Sequence, residues 1–276
     1  MKRSVLAIAA SAGALLALGS GAASASVIEL GATKSPLVPP SCPPTVDSSH
    51  CTIVLTRATG LETIRDGIAY PTTVKRPGVL VAFTLGLSRL SSNAAKARAA
   101  ISYLDSTRGG TTQAAITVLK PVGNKKFRRW QVTAESPLFH LQPYLGTVVQ
   151  FPLAAPLVIG EPPLAAPLRV DPGDVIALTV PTWAPVLTFG LNTKQFAYRQ
   201  SRRANCPVPA ATEQAQELIG ANTRYLCNYA GTRVEYTATE VTTPVAPKNQ
   251  IHAPIIRNWA RRLATAPPSG GVGLTP

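Results

Sequence analysis

The chain has 276 residues, with 27 Lys+Arg against 13 Asp+Glu and a formal net charge of +14. At 45% hydrophobic and only 14% charged residues it can bury a core, which excludes wholesale disorder and a charge-laced coiled coil. Its 26 prolines and 20 glycines follow no three-residue period, which excludes a collagen-like rod.

The first residues read as an export address. Lys2 and Arg3 precede an uncharged apolar stretch from Val5 to Leu18, and Ala23-Ser24-Ala25 fits the A-x-A pattern of a signal-peptidase site. An uncleaved anchor is the alternative, but about 14 apolar residues fall short of the roughly 20 a spanning helix needs. Residues 1–25 are therefore expected to be removed, leaving a mature charge of +12. All four cysteines, Cys42, Cys51, Cys206 and Cys227, lie beyond that point. An even count in an oxidising compartment predicts two disulfides. Of the three connectivities, Cys42–Cys51 with Cys206–Cys227 closes the shorter loops. No C-x2-C pair or Cys/His ligand spacing is present, so neither a metal site nor a cofactor is expected.

Residues 26–46 hold Pro36, Pro39, Pro40, Pro43 and Pro44 and are read as an extended leader, stapled back only at Cys42. Residues 47–243 are read as the folded domain. Ile53 and Leu55 open a β-branched run. Val79, Val81, Phe83, Leu85 and Leu87 alternate with smaller or more polar residues, the period-two mark of a half-buried strand. Further strands are predicted over Ala114–Leu119, Trp130–Ala134, Thr147–Phe151, Val175–Val180 and Arg233–Val241. The turn Asp171-Pro172-Gly173-Asp174 suits type II geometry, with Pro172 pre-setting φ and Gly173 accepting positive φ. The expected fold is mainly β: an antiparallel β-sandwich of jelly-roll type, with one or two short helices in connections. Those helices fall at Asn93–Tyr103, where a loop is the alternative, and at Ala211–Gly220. PLAAPL occurs at Pro152–Leu157 and again at Pro163–Leu168, a local duplication in a surface connection. Residues 244–276 are a Pro/Gly-rich tail in which Ile255, Ile256, Trp259 and Leu263 share one helical face. Weak membrane-surface contact by 255–263 is one reading; a docked helix or disordered tail is the favoured one.

Catalytic signatures are sparse. The histidines are His50, which adjoins Cys51, His140, which falls well inside the folded region, and His252, which is in the tail. There is no G-x-S-x-G and no H-E-x-x-H. Asp171 and Asp174 belong to a turn, and D-P-G-D lacks the ligand density of a calcium loop. Glu235 and Glu240 have opposite strand parity. Asp105 and Glu135 remain without a partner in the pattern.

The bases carry more information. Lys125, Lys126, Arg128 and Arg129 surround Phe127 and lead into Trp130 at an expected hairpin tip. Tyr198, Arg199, Arg202 and Arg203 form a second cluster. Interleaved cations and aromatics can hold an anionic polymer by charge and stacking. For an exported protein that partner is a cell-wall polysaccharide, a phosphate-rich wall polymer or anionic lipid, and no nucleic acid partner is expected. Trp183, between Pro181 and Pro185, is a further candidate for stacking, with a core anchor as its alternative. For the base clusters, a solvated loop is the favoured reading.

Several segments taken together carry a resemblance: Leu61-Glu62-Thr63-Ile64-Arg65-Asp66-Gly67, Tyr70-Pro71-Thr72, Gly109-Gly110-Thr111-Thr112-Gln113, His140-Leu141-Gln142-Pro143-Tyr144-Leu145-Gly146, Asp174–Pro185 and Phe196–Arg202. Over residues 47–243 the chain resembles uncharacterised secreted β-sandwich proteins of high-GC actinobacteria. That resemblance implies an exported sandwich and brings no catalytic residues with it. Three functions compete: a non-catalytic structural or interaction module at the bacterial surface, a module binding carbohydrate or anionic wall polymer, and a secreted hydrolase using His140. The scarcity of acids favours the first.

Overall fold

The computed structural model describes residues 25–42, 53–123, 129–153, 166–201, 215 and 218–242. They build sixteen strands and one α-helix. In chain order these are β1 (Val27–Leu30), β2 (Leu55–Arg65), β3 (Ile68–Ala69), β4 (Gly78–Gly86), α1 (Ala94–Thr107), β5 (Gln113–Val122), β6 (Arg129–Glu135), β7 (Phe139–His140), β8 (Val148–Pro152), β9 (Leu168–Val170), β10 (Val175–Ala184), β11 (Leu187–Thr188), β12 (Ala197–Gln200), β13 (Asn222–Thr223), β14 (Cys227–Ala230), β15 (Arg233–Val234) and β16 (Tyr236–Thr242).

The fold is mainly β, and its named strands pair antiparallel. A smaller sheet runs β1-β16-β4-β8, with β9 also on β4. A larger sheet runs β13-β6-β5-β10-β2-β12-β14, with β3 on β2 and β7 on β5, and β11 pairs β15 separately. One core is shared between the sheets. Leu80, Phe83, Leu85, Phe151, Tyr236 and Ala238 come from the smaller, and Ala58, Ile116, Val118, Ile176, Leu178, Val180 and Tyr198 from the larger. Phe83 stacks on Phe151 at 5.1 Å and meets Phe139 edge-on at 5.3 Å, the offset geometries that aromatic quadrupoles favour.

The larger sheet is apolar on both faces. Val175, Ala177, Leu61, Leu119, Trp130 and Val132 turn away from the shared core and form a second buried cluster with Tyr225. This explains why β10 is buried almost end to end and reads as a continuous apolar run. Its curvature follows from connectivity. β13 and β14 lie at opposite ends of the sheet order, yet only Arg224, Tyr225 and Leu226 join them. Three residues bridge at most about 14 Å, so the sheet curls into a half-barrel until its edges approach. Thr59, Thr117 and Thr179 face into the curl. Their hydroxyls form a chain at 2.8 Å and 2.5 Å, which satisfies polar groups that no water reaches.

Three expectations change. First, Val79 and Val81 do not share the face of Phe83 and Leu85. Thr239 pairs with Ala82 but Glu240 with Leu80, so Val81 is the extra residue of a β-bulge and Leu80 turns inward instead. Second, the leader is held at several points between Val27 and Val38. Val27–Leu30 pairs with β16, Ser35 is bound by Asp66, and the backbone of Pro36 and Val38 is bound by Arg233 and Glu235. Third, α1 is a full helix, because the Asn93 side chain accepts from the N–H groups of Ala95 and Lys96 and caps it. At Asp171–Asp174 the expected turn forms. Gly173 takes φ of +95°, and the Asp174 carboxylate accepts from the Asp171 N–H at 2.9 Å. Of the predicted Ala211–Gly220 helix, Ala215 belongs to no helix or strand and Leu218–Gly220 form a bend and turn, while the other residues lie outside the described ones. Residues 154–165, which hold most of the first PLAAPL copy and half of the second, and the whole 244–276 tail also lie outside the described residues.

Candidate functional site

The exposed site begins at the edge of the larger sheet. Asn222 pairs with Gln131 and Thr223 with Trp130, and the next step brings Arg224 beside Arg129. Alternation along each strand turns Trp130, Thr223 and Tyr225 inward and leaves Arg129, Asn222 and Arg224 outside. Arg129, Asn222, Thr223, Arg224 and Leu226 line a surface cleft of about 400 Å³. Its far wall is braced from another strand: the Arg199 guanidinium donates to the Tyr225 carbonyl at 3.0 Å. The two base clusters, about 70 residues apart in sequence, thus meet at one segment, residues 222–226.

The predicted aromatic contacts are corrected by burial. Trp130 is 4% exposed and packs inside the curl, with Tyr70 at 5.9 Å and Tyr225 at 6.4 Å. Trp183 is fully buried, and its indole N–H donates to Asp105 at 2.9 Å and to the Gly110 carbonyl at 3.1 Å, so it is the core anchor. Tyr198 is buried against Tyr229, ring centroids 4.9 Å apart, and its hydroxyl accepts from Gln200. None of the three offers a ring face to a polymer. At Arg129-Trp130 and Tyr198-Arg199 the interleaving is strand alternation, with the rings turned inward and the bases less buried than they are. Arg224-Tyr225 carries the same alternation and is the signal that could have located the second arginine. Lys125, Lys126, Arg128, Arg202 and Arg203 lie outside the described residues. Cys42 and Cys227 are disulfide-bonded, while Cys51, Cys206 and hence the pairing lie outside them.

A second cluster, of four charged groups with almost no solvent contact, was not anticipated. Glu62 and Arg65 on β2 form an ion pair at 2.5 Å with both side chains fully buried. The Arg65 guanidinium donates to the carbonyls of Gly31, Val234 and Tyr236 at 2.6, 2.7 and 2.9 Å. Glu62 accepts from the Val234 N–H at 3.0 Å. Beside them Arg233 pairs with Glu235 at 3.2 Å and donates to the Pro36 carbonyl, while Glu235 accepts from Thr188 and from the Val38 N–H. Burial pushes Glu62 up to about 7, against the opposing pull of Arg65 and Arg233. Burial likewise raises Glu235 and lowers Arg233. A near-neutral carboxyl has the acidity of a general acid, but this one is sealed beneath its own chain and touches nothing a substrate could reach.

His140 sits exposed on β7, and among the described residues no carboxylate or hydroxyl bonds to its ring. No group of three His, Cys, Asp or Glu side chains among the described residues is placed to hold a metal ion. No helix among them is long and apolar enough to cross a membrane. Comparison with protein-family models, curated proteins and solved structures gives no match.

Proposed function

We propose that the chain is an exported, non-catalytic β-sandwich module of jelly-roll type that acts as a structural or interaction protein at the bacterial surface. The observation that carries this reading is the use made of the buried ionisable groups. Arg65, Arg233, Glu62 and Glu235 bind the protein's own backbone, and three of these bonds hold Gly31, Pro36 and Val38 of the leader. Groups that would otherwise serve acid–base chemistry are consumed in fixing a surface. The disulfide-bonded state of Cys42 and Cys227 supports an oxidising compartment. The core shared by two antiparallel sheets supports the sandwich.

Fractionation of a producing bacterium with N-terminal sequencing tests the location. The expected product is found in the envelope or culture fluid and begins at Ser26; a cytosolic protein retaining Met1 overturns the reading. A panel of ester, peptide and glycoside substrates tests the chemistry. No turnover is expected from the wild type, and any turnover abolished by His140→Ala establishes a hydrolase instead.

A further inference from the structure

We propose that the cleft between β6 and β13 binds the phosphodiester groups of an anionic polymer, with Arg129 and Arg224 as the paired recognition residues. The surface reading above supplies the setting, and the inference adds a ligand class and a site to it.

Placement is the first argument. Arg129 ends one strand and Arg224 follows its neighbour, so the pairing register aims two exposed guanidinium groups at one concavity. Among the described residues that line the cleft there is no carboxylate, and Asn222 adds an exposed amide that can donate to an oxyanion. A guanidinium presents a planar fork of N–H donors that matches two oxygens of one phosphate, and two forks side by side suit two oxyanions or one gripped from both flanks.

Size and rigidity are the second. At about 400 Å³ the cleft falls within the roughly 300–1,000 Å³ typical of ligand sites. Leu226, 48% exposed, supplies an apolar wall for the carbon backbone between phosphates. The wall does not float. Tyr225 is anchored in the curl between Arg224 and Leu226, and Arg199 ties down its carbonyl. The arginines are therefore held by a preorganised segment, which reduces the entropy lost on binding.

Charge is the third. A mature chain at +12 attracts polyanions from a distance, and this cleft lets two of those charges act at contact range.

Titration calorimetry on the purified full-length mature protein tests the proposal with three probes: a short poly(glycerol phosphate), inorganic phosphate and polygalacturonate. Arg129→Gln and Arg224→Gln are each expected to weaken poly(glycerol phosphate) binding about tenfold or more. Each should also reduce the slope of log affinity against log salt by about one, as loss of a single phosphate contact does. Lys75→Gln with Arg76→Gln, exposed cations that do not line the cleft, should bind as wild type. Circular dichroism and melting temperature should be unchanged in all variants, because every substituted side chain is exposed. Three results overturn the proposal: unchanged binding by the Arg129→Gln/Arg224→Gln double variant, equal loss in the Lys75/Arg76 control, or equal affinity for polygalacturonate. The last assigns the cleft to carboxylate polymers. Because binding is measured on isolated protein, a cytosolic location would defeat the surface reading and leave the phosphodiester site standing.

Discussion

Glu62 and Glu240 are both fully covered by protein, and their carboxyl groups differ in what meets them. Glu62 has a guanidinium at 2.5 Å and a backbone N–H at 3.0 Å. Glu240 turns inward at the end of the core, opposite Leu80, and among the described residues neither of its oxygens has a hydrogen-bond partner. Burial alone raises its pKa. It lies nearer the rim than Glu62, so the cost of its charge is smaller in size while the same in sign. Different outcomes follow. Glu62→Gln takes the anion from Arg65 but also removes a buried charge that the fold disfavours, so its loss at pH 7.5 should stay below the about 3–5 kcal/mol that breaking a buried ion pair typically costs. Glu240→Gln removes a charge that nothing compensates, and stability at neutral pH should rise by about 1 kcal/mol. Urea unfolding at pH 7.5 checks both. A Glu240→Gln midpoint below wild type would mean that its carboxylate has a stabilising partner.

At the scale of elements, the leader shows what sequence patterning conceals. Five prolines and weak periodicity made residues 26–46 look like an extension tethered only at Cys42. Proline does forbid ladder donation at its own position. It does not prevent side chains elsewhere from binding the exposed carbonyls and N–H groups, and Arg65, Asp66, Arg233 and Glu235 do so from distant points in the chain. Such pairings have no local signature. β4 was legible from alternation, but its bulge at Val81 was not, because a bulge is set by the partner strand. β10 was legible as a strand; its two-sided burial was visible only as an unbroken apolar run whose second face had no assigned cover. Of the site, Arg129 was found from charge, whereas Arg224, carrying the same base-then-ring alternation, lay in a segment too short to read as a strand. The leader's attachment is itself testable. Burial raises the Asp66 carboxyl, but the hydroxyls of Ser35 and Thr33, the Ser35 N–H and nearby Lys34 more than offset that and hold it below the usual carboxylate range. Asp66 thus contributes leader stability above its unfolded pKa and loses it as pH falls through the lower folded value. Asp66→Asn should speed hydrogen exchange at Ser35 without changing exchange in β10. Exchange rates raised equally in both would show that Asp66 stabilises the whole fold and not the strap alone.

For the whole molecule, those buried acids set an unusual pH dependence. Glu62, Asp174, Glu235 and Glu240 are all raised by burial, and Asp66 is lowered. A carboxyl with a raised folded pKa keeps its proton in the native state after the unfolded chain has released it. The native state then binds more protons, and stability falls as pH rises through that window. For Glu62 the window runs from its ordinary value of 4.5 to about 7. The term is fully present below the lower limit and lost at the upper one, and its size is a few kcal/mol at 1.36 kcal/mol per pKa unit. Net charge works the other way. Protonating acids on a chain already at +14 increases self-repulsion, but a Debye length of about 8 Å at physiological salt screens charges spread over the surface. The buried term therefore wins between pH 5 and 7.5. The midpoint of urea unfolding should be higher at pH 5 than at pH 7.5 in 0.15 M salt, against the common pattern in which paired carboxylates stabilise at neutral pH. Glu62→Gln should flatten the slope between those two values, since its amide does not titrate, whereas Glu240→Gln should reduce it less. A wild-type midpoint that falls steadily from pH 7.5 to 5 would mean that Glu62 is ionised throughout, its pairing with Arg65 and Arg233 outweighing its burial.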